Sequence, residues 1–481
     1  MAFLRSVATV GLFTLLSRLL GFVRDLLMAT LLGAGPIADA FVVAQRLPNS
    51  FRSIFAEGAM DTAFVPIYTR KRQSEMPESV YDFVNHIFTI LLIALLPLVG
   101  LALMFMPHII ATLAPGFVGD PVRFHLATTY GNITFGYLIL ISVTALQGGL
   151  LNASGHFGPS ASAPAILNAT MITGFLVAAY FGLDPGIVGC WTLMAGGIIQ
   201  LAVLYGSCRR HGFSLRIARP RLTTDLKQFF KLVGPGVLGT GADQFNLLVT
   251  TIMASSLPSG VIAGLYYADR LNQLPLGVIG GAVATALLPA LTRHIAAREE
   301  SATIHYFSRA LEIALILCLP ACLILIIAAV PIVQLLFEHG VFDAKDARVT
   351  AEIISGYALT IPSSVLVRIF TVRFFAHENT RMPVLSSLCS IALNTVLAYV
   401  LRERWQHFGI ALAYALTMCC NATILWAMLY KHGYAKLDPA TWRKLPRVVI
   451  SAAIMGLVLY MTRQPADELA SWLGTEGLLH I

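Results

Sequence analysis

The chain has 481 residues, 57% of them hydrophobic and only 12% charged, with a formal net charge of +8 and a mean hydropathy of +0.75. A soluble globular domain carries about 25% charged residues, so roughly half of the usual charge is missing, and no polar stretch is long enough to hide a soluble domain. Apolar runs of about 20 residues recur along the whole chain, each sufficient to cross a hydrocarbon core of about 30 Å.

Taken in order, the apolar runs between turn signals predict about thirteen membrane helices. Their approximate centres are Leu16, Ile54, Ile93, Ile139, Met171, Thr192, Leu247, Val278, Ile316, Ser363, Ala392, Leu416 and Ala453. The second is the least regular, because Pro48 and several charges interrupt it. Residues 1–32 carry Arg18 and Arg24 inside the apolar run and lack a small-residue cleavage site, which predicts a retained span and not a signal peptide. The seven cysteines lie in or beside apolar runs without ligand spacing to histidines. They read as helix-packing thiols, so no metal site is expected.

Charge sets the orientation. With the N-terminus in the cytoplasm, the alternate loops on that side hold Arg5, Arg70–Arg72 and the basic stretch from Arg209 to Lys231. They also hold Arg293, Arg298, Arg309, Arg373, Arg381, Lys431, Lys436, Arg443, Lys444 and Arg447. The opposite loops hold Arg123, Lys345, Arg348, Arg402, Arg404 and Arg463. About 21 basic residues against 6 is a strong positive-inside bias. Topology accounts for the net charge, and no nucleic-acid partner is required.

Six arginines fall within spans: Arg18, Arg24, Arg46, Arg52, Arg270 and Arg368. An arginine at mid-bilayer costs about 2.5–3.5 kcal/mol on insertion scales, so the set cannot face lipid. Ser17, Arg18, Gly21, Arg24 and Asp25 follow the spacing of one helix face, and Asp39, Arg46 and Glu57 are nearly in phase on the next. Two readings stand side by side. The acids Asp25, Asp39 and Glu57 can neutralise arginines between packed helices, with Arg18 and Arg24 snorkelling to the interface. Alternatively, the excess of arginine over acid leaves a positive, hydrated cavity, and arginine suits bidentate recognition of phosphate. The second reading predicts an anionic substrate such as a diphosphate.

An internal repeat is visible. The segment "AQRLPNSFRSIFAEGAMDTAFVPIYTR" resembles "ADRLNQLPLGVIGGAVATALLPALTRH". Ala44 matches Ala268, Arg46 matches Arg270 and Leu47 matches Leu271. After a one-residue slip Pro66 matches Pro289 and Thr69-Arg70 matches Thr292-Arg293. The copies are six spans apart, so both halves run the same way through the membrane. Parallel repeats of this kind are a transporter signature.

Motifs along almost the whole chain then resemble those of the MurJ/MviN lipid II flippases. They are "SRLLGFVRD" (17–25), "ADAFVVAQRLPNSFRSIFAEGAMDTAFVPIY" (38–68), "APGF" (114–117), "YYADRLNQLPLGVIG" (266–280), "LFEHGVFDAKDA" (336–347) and "GIALAYALTMCCNA" (409–422). The resemblance implies an all-α polytopic fold of two parallel six-helix lobes around a central cavity, with extra C-terminal helices. On this sequence the lobes are residues 1–215 and 216–435, followed by 436–481 as an additional helix. It also implies that Arg18, Arg24, Arg52 and Arg270 hold the diphosphate and sugar headgroup of undecaprenyl-linked lipid II, with Ser17, Asp39, Arg46 and Glu57 as functional neighbours. The family normally has fourteen spans, and this chain stops where the last would begin. Some members resemble sodium-coupled carriers with Asn and Asp four residues apart in the eleventh helix. Asn394 stands here in that region but Ala398 follows, so the ion site is not carried over; Asp243 is a second candidate for a coupling cation.

The implied activity is transport by alternating access in the bacterial inner membrane, with membrane lipids as surroundings and no catalytic residues or cofactor. There is no G-x-x-x-x-G-K-[ST] sequence for ATP. A multidrug exporter of the same superfamily would need an acidic or aromatic cavity, against the arginine excess. An exporter of other polyprenyl-linked oligosaccharides remains a sibling reading. A membrane glycosyltransferase would need a catalytic acid in a substantial outward loop, and the outward loops are short.

Overall fold

Hydrocarbon offers a backbone no hydrogen-bond partner, so a chain this apolar must satisfy its peptide groups within each segment. The protein, seen in a computed structural model, is described at residues 2–53, 63–74, 76–219 and 223–472, apart from the side chains of 2–8, 77, 234–243 and 463–472. All regular structure among these residues is helical. Among the described residues, nine helical stretches are long and apolar enough to span a bilayer, several of them compound. Twelve of the thirteen expected centres lie in helical segments, and Ile54 lies outside the described residues.

Two compact units divide the chain, Met1–Ile262 and Ala263–Ile481. The first contains α1 (Ala2–Leu32), α2 (Pro36–Phe51), α3 (Val65–Ser74), α4 (Pro77–Met104), α5 (Met106–Leu113), α6 (Pro121–Thr134), α7 (Tyr137–Ala153), α8 (Phe157–Phe181), α9 (Pro185–Arg210) and α10 (Thr224–Ser255). Proline at the first turn of α2, α4, α6 and α9 starts those helices, where the missing N–H costs nothing. Asp184 caps α9 by accepting from the N–H groups of Gly186 (2.8 Å) and Ile187 (3.0 Å). In this unit α1 packs on α8, α8 on α9 and α2 on α6. Gly196 and Gly197 bring α9 against Leu167 and Tyr137, the small-residue packing that membrane helices use. At the end of the unit's bundle next to α3, Phe64, Tyr68, Phe83, Leu146, Leu204 and Phe229 form a core. Helix α10, which the lobe division of the sequence places after residue 215, packs on α2, α4 and α5 of this unit.

The second unit contains α11 (Val261–Pro275), a π-helical turn (Leu276–Gly280), α12 (Gly281–Ala296), α13 (Glu300–Ile327), α14 (Ala329–Phe337), α15 (Ala344–Ala358), α16 (Thr360–Ala376), α17 (Arg381–Lys431) and α18 (Pro439–Trp472). Its core gathers Leu291, Phe307, Ala314, Val365, Phe374 and Leu425. Helix α17 is two expected spans joined at Gln406, whose φ of 44° and ψ of −122° break the helix. The same sequence of breaks occurs in both units. A long helix ends at a residue with φ near −105° (Phe105, Ala328) and a short helix follows, α5 or α14. The next span is split one or two residues before its second half, α6/α7 and α15/α16. These short helices were not expected from the sequence, since their apolar residues run on from the preceding span.

Helix α18 is fastened at its N-terminal turns. The buried Glu312 of α13 accepts from Thr441 Oγ1 (2.6 Å) and Lys444 Nζ (3.2 Å) and pairs with Arg309. Replacing it by alanine leaves three donors without their carboxylate. Glu312→Ala is expected to cost about 1–3 kcal/mol, read as a lower thermal midpoint of the purified protein, with Glu312→Gln recovering part of it.

In the loop after α16, the His377 ring lies parallel to Tyr434 with centroids 3.8 Å apart. Burial, aided by the nearby Arg373 guanidinium, pushes its pKa down to about 4. The folded chain keeps His377 neutral where the unfolded chain takes up a proton. Its contribution is therefore complete above about pH 6.5 and is lost as pH falls towards 4. Thermal midpoints at pH 7.5 and 5 should show a loss on acidification that His377→Phe, which keeps the stack, reduces.

Candidate functional site

The intramembrane arginines fall into distinct environments, and those environments decide what each can do. Helix α1 carries Ser17, Arg18, Arg24 and Asp25. Arg24 is committed within the unit: Nε and Nη2 donate to Asp25 Oδ1 (3.1 and 2.7 Å), and Nη1 donates to Asn168 Oδ1 (2.9 Å). Asn168 on α8 in turn donates from Nδ2 to the Ser17 carbonyl (3.0 Å), passing over Gly21, where a Cβ would come within 3.2 Å of it. One amide thus clasps α1 onto α8. Asn168 escaped the sequence reading because an amide in an apolar helix carries no charge to mark it.

Arg18 is different. It is exposed, and among the described residues no hydrogen bond or ion pair engages it. It borders a groove of about 360 Å³ between α1 and α8, lined also by Thr14, Ser17, Asn152, Phe157 and Ser160. Arg18 thus stands beside hydroxyl and amide groups of α1, α7 and α8 without a hydrogen bond or ion pair among the described residues.

Arg46 on α2 is buried. Its Nη1 donates to the Leu247 carbonyl (3.1 Å) and to Thr251 Oγ1, both on α10. Arg270, its repeat mate on α11, is half-buried; Nη2 donates to Tyr266 Oη (3.1 Å) and the guanidinium lies 4.8 Å from that ring's centroid. The matched positions thus hold one arginine bonded to a neighbouring helix and one resting on an aromatic face. Arg52 is half-buried at the C-terminal end of α2. Arg368 is exposed on α16, its stem against Gly280 of the π-helical turn. Glu57 and the Asp243 side chain lie outside the described residues. Asn394 is buried in α17, 1% exposed.

Asp39 does not join the α1–α8 groove. It is fully buried on α2, where Oδ2 accepts the Gly260 N–H (2.8 Å) and stands 3.6 Å from Arg123 Nη1. Gly260 has a φ of +95°, and a Cβ there would fall 2.1 Å from the Ala34 carbonyl oxygen, so the position needs glycine. Arg123, only 7% exposed, also donates from Nε to Asp120 Oδ2 (2.7 Å) and from Nη1 to the Leu257 carbonyl (3.2 Å), and its guanidinium lies 4.7 Å from the Phe117 ring centroid. The hydrogen bonds from Arg123 hold the Asp120 carboxyl below the usual carboxylate range. The sequence reading had Arg123 as an outward loop charge; it is instead the hub joining α2, α6 and the loop after α10. The available signal was Asp120-Pro121-Val122-Arg123, a capping aspartate with an arginine three residues on.

Lys71 and Arg373 correct the loop reading in the same way. Lys71, placed among cytoplasmic loop charges, is 4% exposed and pairs with Asp225 of α10 at 2.7 Å. Arg373 is 4% exposed and lies 5.3 Å from the Phe307 ring centroid. Removing the hub should be felt as stability. Arg123→Ala strands a buried carboxylate, and about 3–5 kcal/mol is the expected cost; Asp39→Asn, which keeps an acceptor for Gly260, should cost less. Thermal unfolding of the two purified variants orders them.

Comparison with known proteins identifies the family. Residues 28–470 match the family model described as lipid II flippase MurJ. A probable lipid II flippase MurJ of Rhizobium meliloti (strain 1021) is 39% identical over 465 residues, covering 96% of this chain and 87% of that one. The corresponding protein of Rhizobium tropici is 35% identical, covering 96% and 88%. Among solved structures, a lipid II flippase MurJ in an inward closed conformation superposes with a TM-score of 0.81 at 25% identity, covering 94% of this chain and 92% of that one. An inward-facing multidrug transporter of the MATE family shares the fold, with a TM-score of 0.73 at 14% identity, covering 87% and 95%. With a family model spanning nearly the whole chain and relatives above 30% identity across it, the chain belongs to the MurJ family.

Proposed function

We propose that this chain carries lipid II, the polyprenyl-diphosphate-linked peptidoglycan precursor, from the cytoplasmic to the periplasmic leaflet of the bacterial inner membrane by alternating access. The observation that carries the reading is Arg18, a cation of α1 with no hydrogen bond or ion pair among the described residues, bordering a groove in which Thr14, Ser17, Asn152 and Ser160 stand among apolar side chains, in a chain of the MurJ family. Arginine exposed at that depth is stable only in a hydrated path, and a diphosphate is the anion that rewards it.

In this reading Arg18 makes the first contact with the diphosphate, and Ser17 shares the groove. Arg270, lying on Tyr266, and Arg52 supply further positive charge. Arg24 acts through the α1–α8 clasp, Arg46 through its hold on α10 and Asp39 through Arg123, so these three position the path. Glu57 belongs to the same set by its place in the motif. Asp243 and Asn394 are the candidates for a coupling cation. The lobes are residues 1–215 and 216–435, with 436–481 as an additional helix, and the charge bias puts the N-terminus in the cytoplasm.

The test uses cells depleted of their own flippase and carrying only this protein, with lipid II exposure read by a periplasmic-side probe. The native chain should restore exposure. Arg18→Ala and Arg270→Ala should each reduce it about tenfold or more at equal protein level, the scale of a lost charged hydrogen bond. Arg46→Ala should lower the protein level instead. Full exposure with Arg18→Ala would remove the assigned role of the groove, and no restoration by the well-expressed native chain would remove the substrate.

A further inference from the structure

Between α9 and α10 residues 213–219 belong to neither helix nor strand, yet the segment is fastened along α4. Tyr81 Oη donates to the Gly212 carbonyl (3.2 Å), Asn85 Oδ1 accepts the Arg216 N–H (2.9 Å) and Thr89 Oγ1 accepts the Ala218 N–H (2.9 Å). The three side chains stand four residues apart on one face of α4. Four residues of helix rise about 6.0 Å, and two residues of extended chain cover about 6.6 Å. The two periods match between the Asn85 and Thr89 rungs, which hold Arg216 and Ala218 two residues apart, while the Tyr81 rung reaches Gly212, just after α9 and four residues before Arg216. The ladder engages the Gly212 carbonyl and the N–H groups of Arg216 and Ala218.

The ledge then leaves the core. Phe213 and Leu215 pack onto the core beside α3, but Ile217, of the same parity, is 77% exposed. Arg216 and Arg219 are exposed on either side of it. Just beyond Thr89, the side chains of Leu92, Ile93 and Leu96 form with Ile217 and Arg219 an apolar groove of about 390 Å³. The polar start of α4 ends at His86 and its apolar run begins at Ile87, so the mouth of the groove lies where headgroups meet acyl chains. The acids of α4, Asp82 and Glu78, fall about one and two turns before Asn85, away from the groove. Arg219 lines the groove, Arg216 is exposed three residues earlier on the same ledge and adds positive charge nearby, and the walls are hydrocarbon.

We propose that this ledge is a binding site for an anionic phospholipid of the leaflet on the N-terminal side of α4. The phosphate pairs with Arg216 and Arg219, and the upper acyl carbons lie against Ile217, Leu92, Ile93 and Leu96. Charge complementarity selects an anionic over a zwitterionic headgroup, each arginine contributing about fivefold. The site is separate from the Arg18 groove and does not depend on what the chain transports.

The test is native mass spectrometry of the full-length protein, delipidated and titrated with phosphatidylglycerol or phosphatidylcholine of identical acyl chains. The native chain should retain phosphatidylglycerol more tightly than phosphatidylcholine. Arg216→Ala with Arg219→Ala should abolish the difference, the double lysine variant should keep it, and Ile217→Ser should weaken both lipids. Equal retention of the two lipids by the native chain, or a preference untouched by the double alanine variant, overturns the proposal.

Discussion

A guanidinium inside a hydrocarbon-crossing helix keeps its charge, so the surrounding chain must supply a carboxylate, carbonyl, ring or water for it. Much of the remaining structure follows from how each arginine is answered. Arg24 is answered by Asp25 and Asn168, and through them α1 is clasped to α8. Arg46 is answered by carbonyl and hydroxyl groups of α10, and Arg123 by Asp39, Asp120 and the Leu257 carbonyl. Each of these contacts joins helices, so the charges that are costly in lipid become the points at which the bundle is specified. Arg18 alone of the α1 pair is left exposed at the α1–α8 groove, and that difference separates a fastening from the group we propose to bind.

The helices are also shaped by where they stop. Phe105 and Ala328 end the long helices of the two units with nearly the same dihedrals, and short helices follow both. The spans α6/α7 and α15/α16 break in corresponding places. A repeat first noticed in a pair of aligned arginines thus extends to backbone breaks in segments with little sequence likeness. Breaks of this kind depend on carbonyl and N–H pairing, which tolerates many side chains.

The ends of the helices carry a second layer of organisation. Lys71 with Asp225 and Glu312 with Lys444 tie interfacial segments to spans, and the ledge along α4 does the same by hydrogen bonds to backbone. At the interface water competes for every such contact, so burial decides which persist. Lys71 at 4% exposure is a structural ion pair, whereas Arg216 and Arg219, left exposed, are free to meet a headgroup.

Much was legible in the residues alone. Apolar run length determined the all-helical membrane architecture, because only intrasegment hydrogen bonding is stable in lipid. Loop charge supplied the orientation we propose, and six arginines within spans marked the positions where charge has to be answered. The aligned Arg46 and Arg270 revealed the repeat. What composition could not distinguish was an answered arginine from an unanswered one. Arg18 and Arg24 share a helix face at a spacing of six residues, and only the approach of Asn168 from α8, 144 positions along the chain from Arg24, makes one a clasp and leaves the other open. Arg123 and Lys71 read as loop charges until the acids Asp39 and Asp225 arrive from distant helices. A partner's identity depends on distances in space between segments far apart in sequence, and side-chain periodicity reports only on the helix that bears it. The sequence therefore determined where charge enters the membrane, and tertiary packing alone decided which of those charges is left to act.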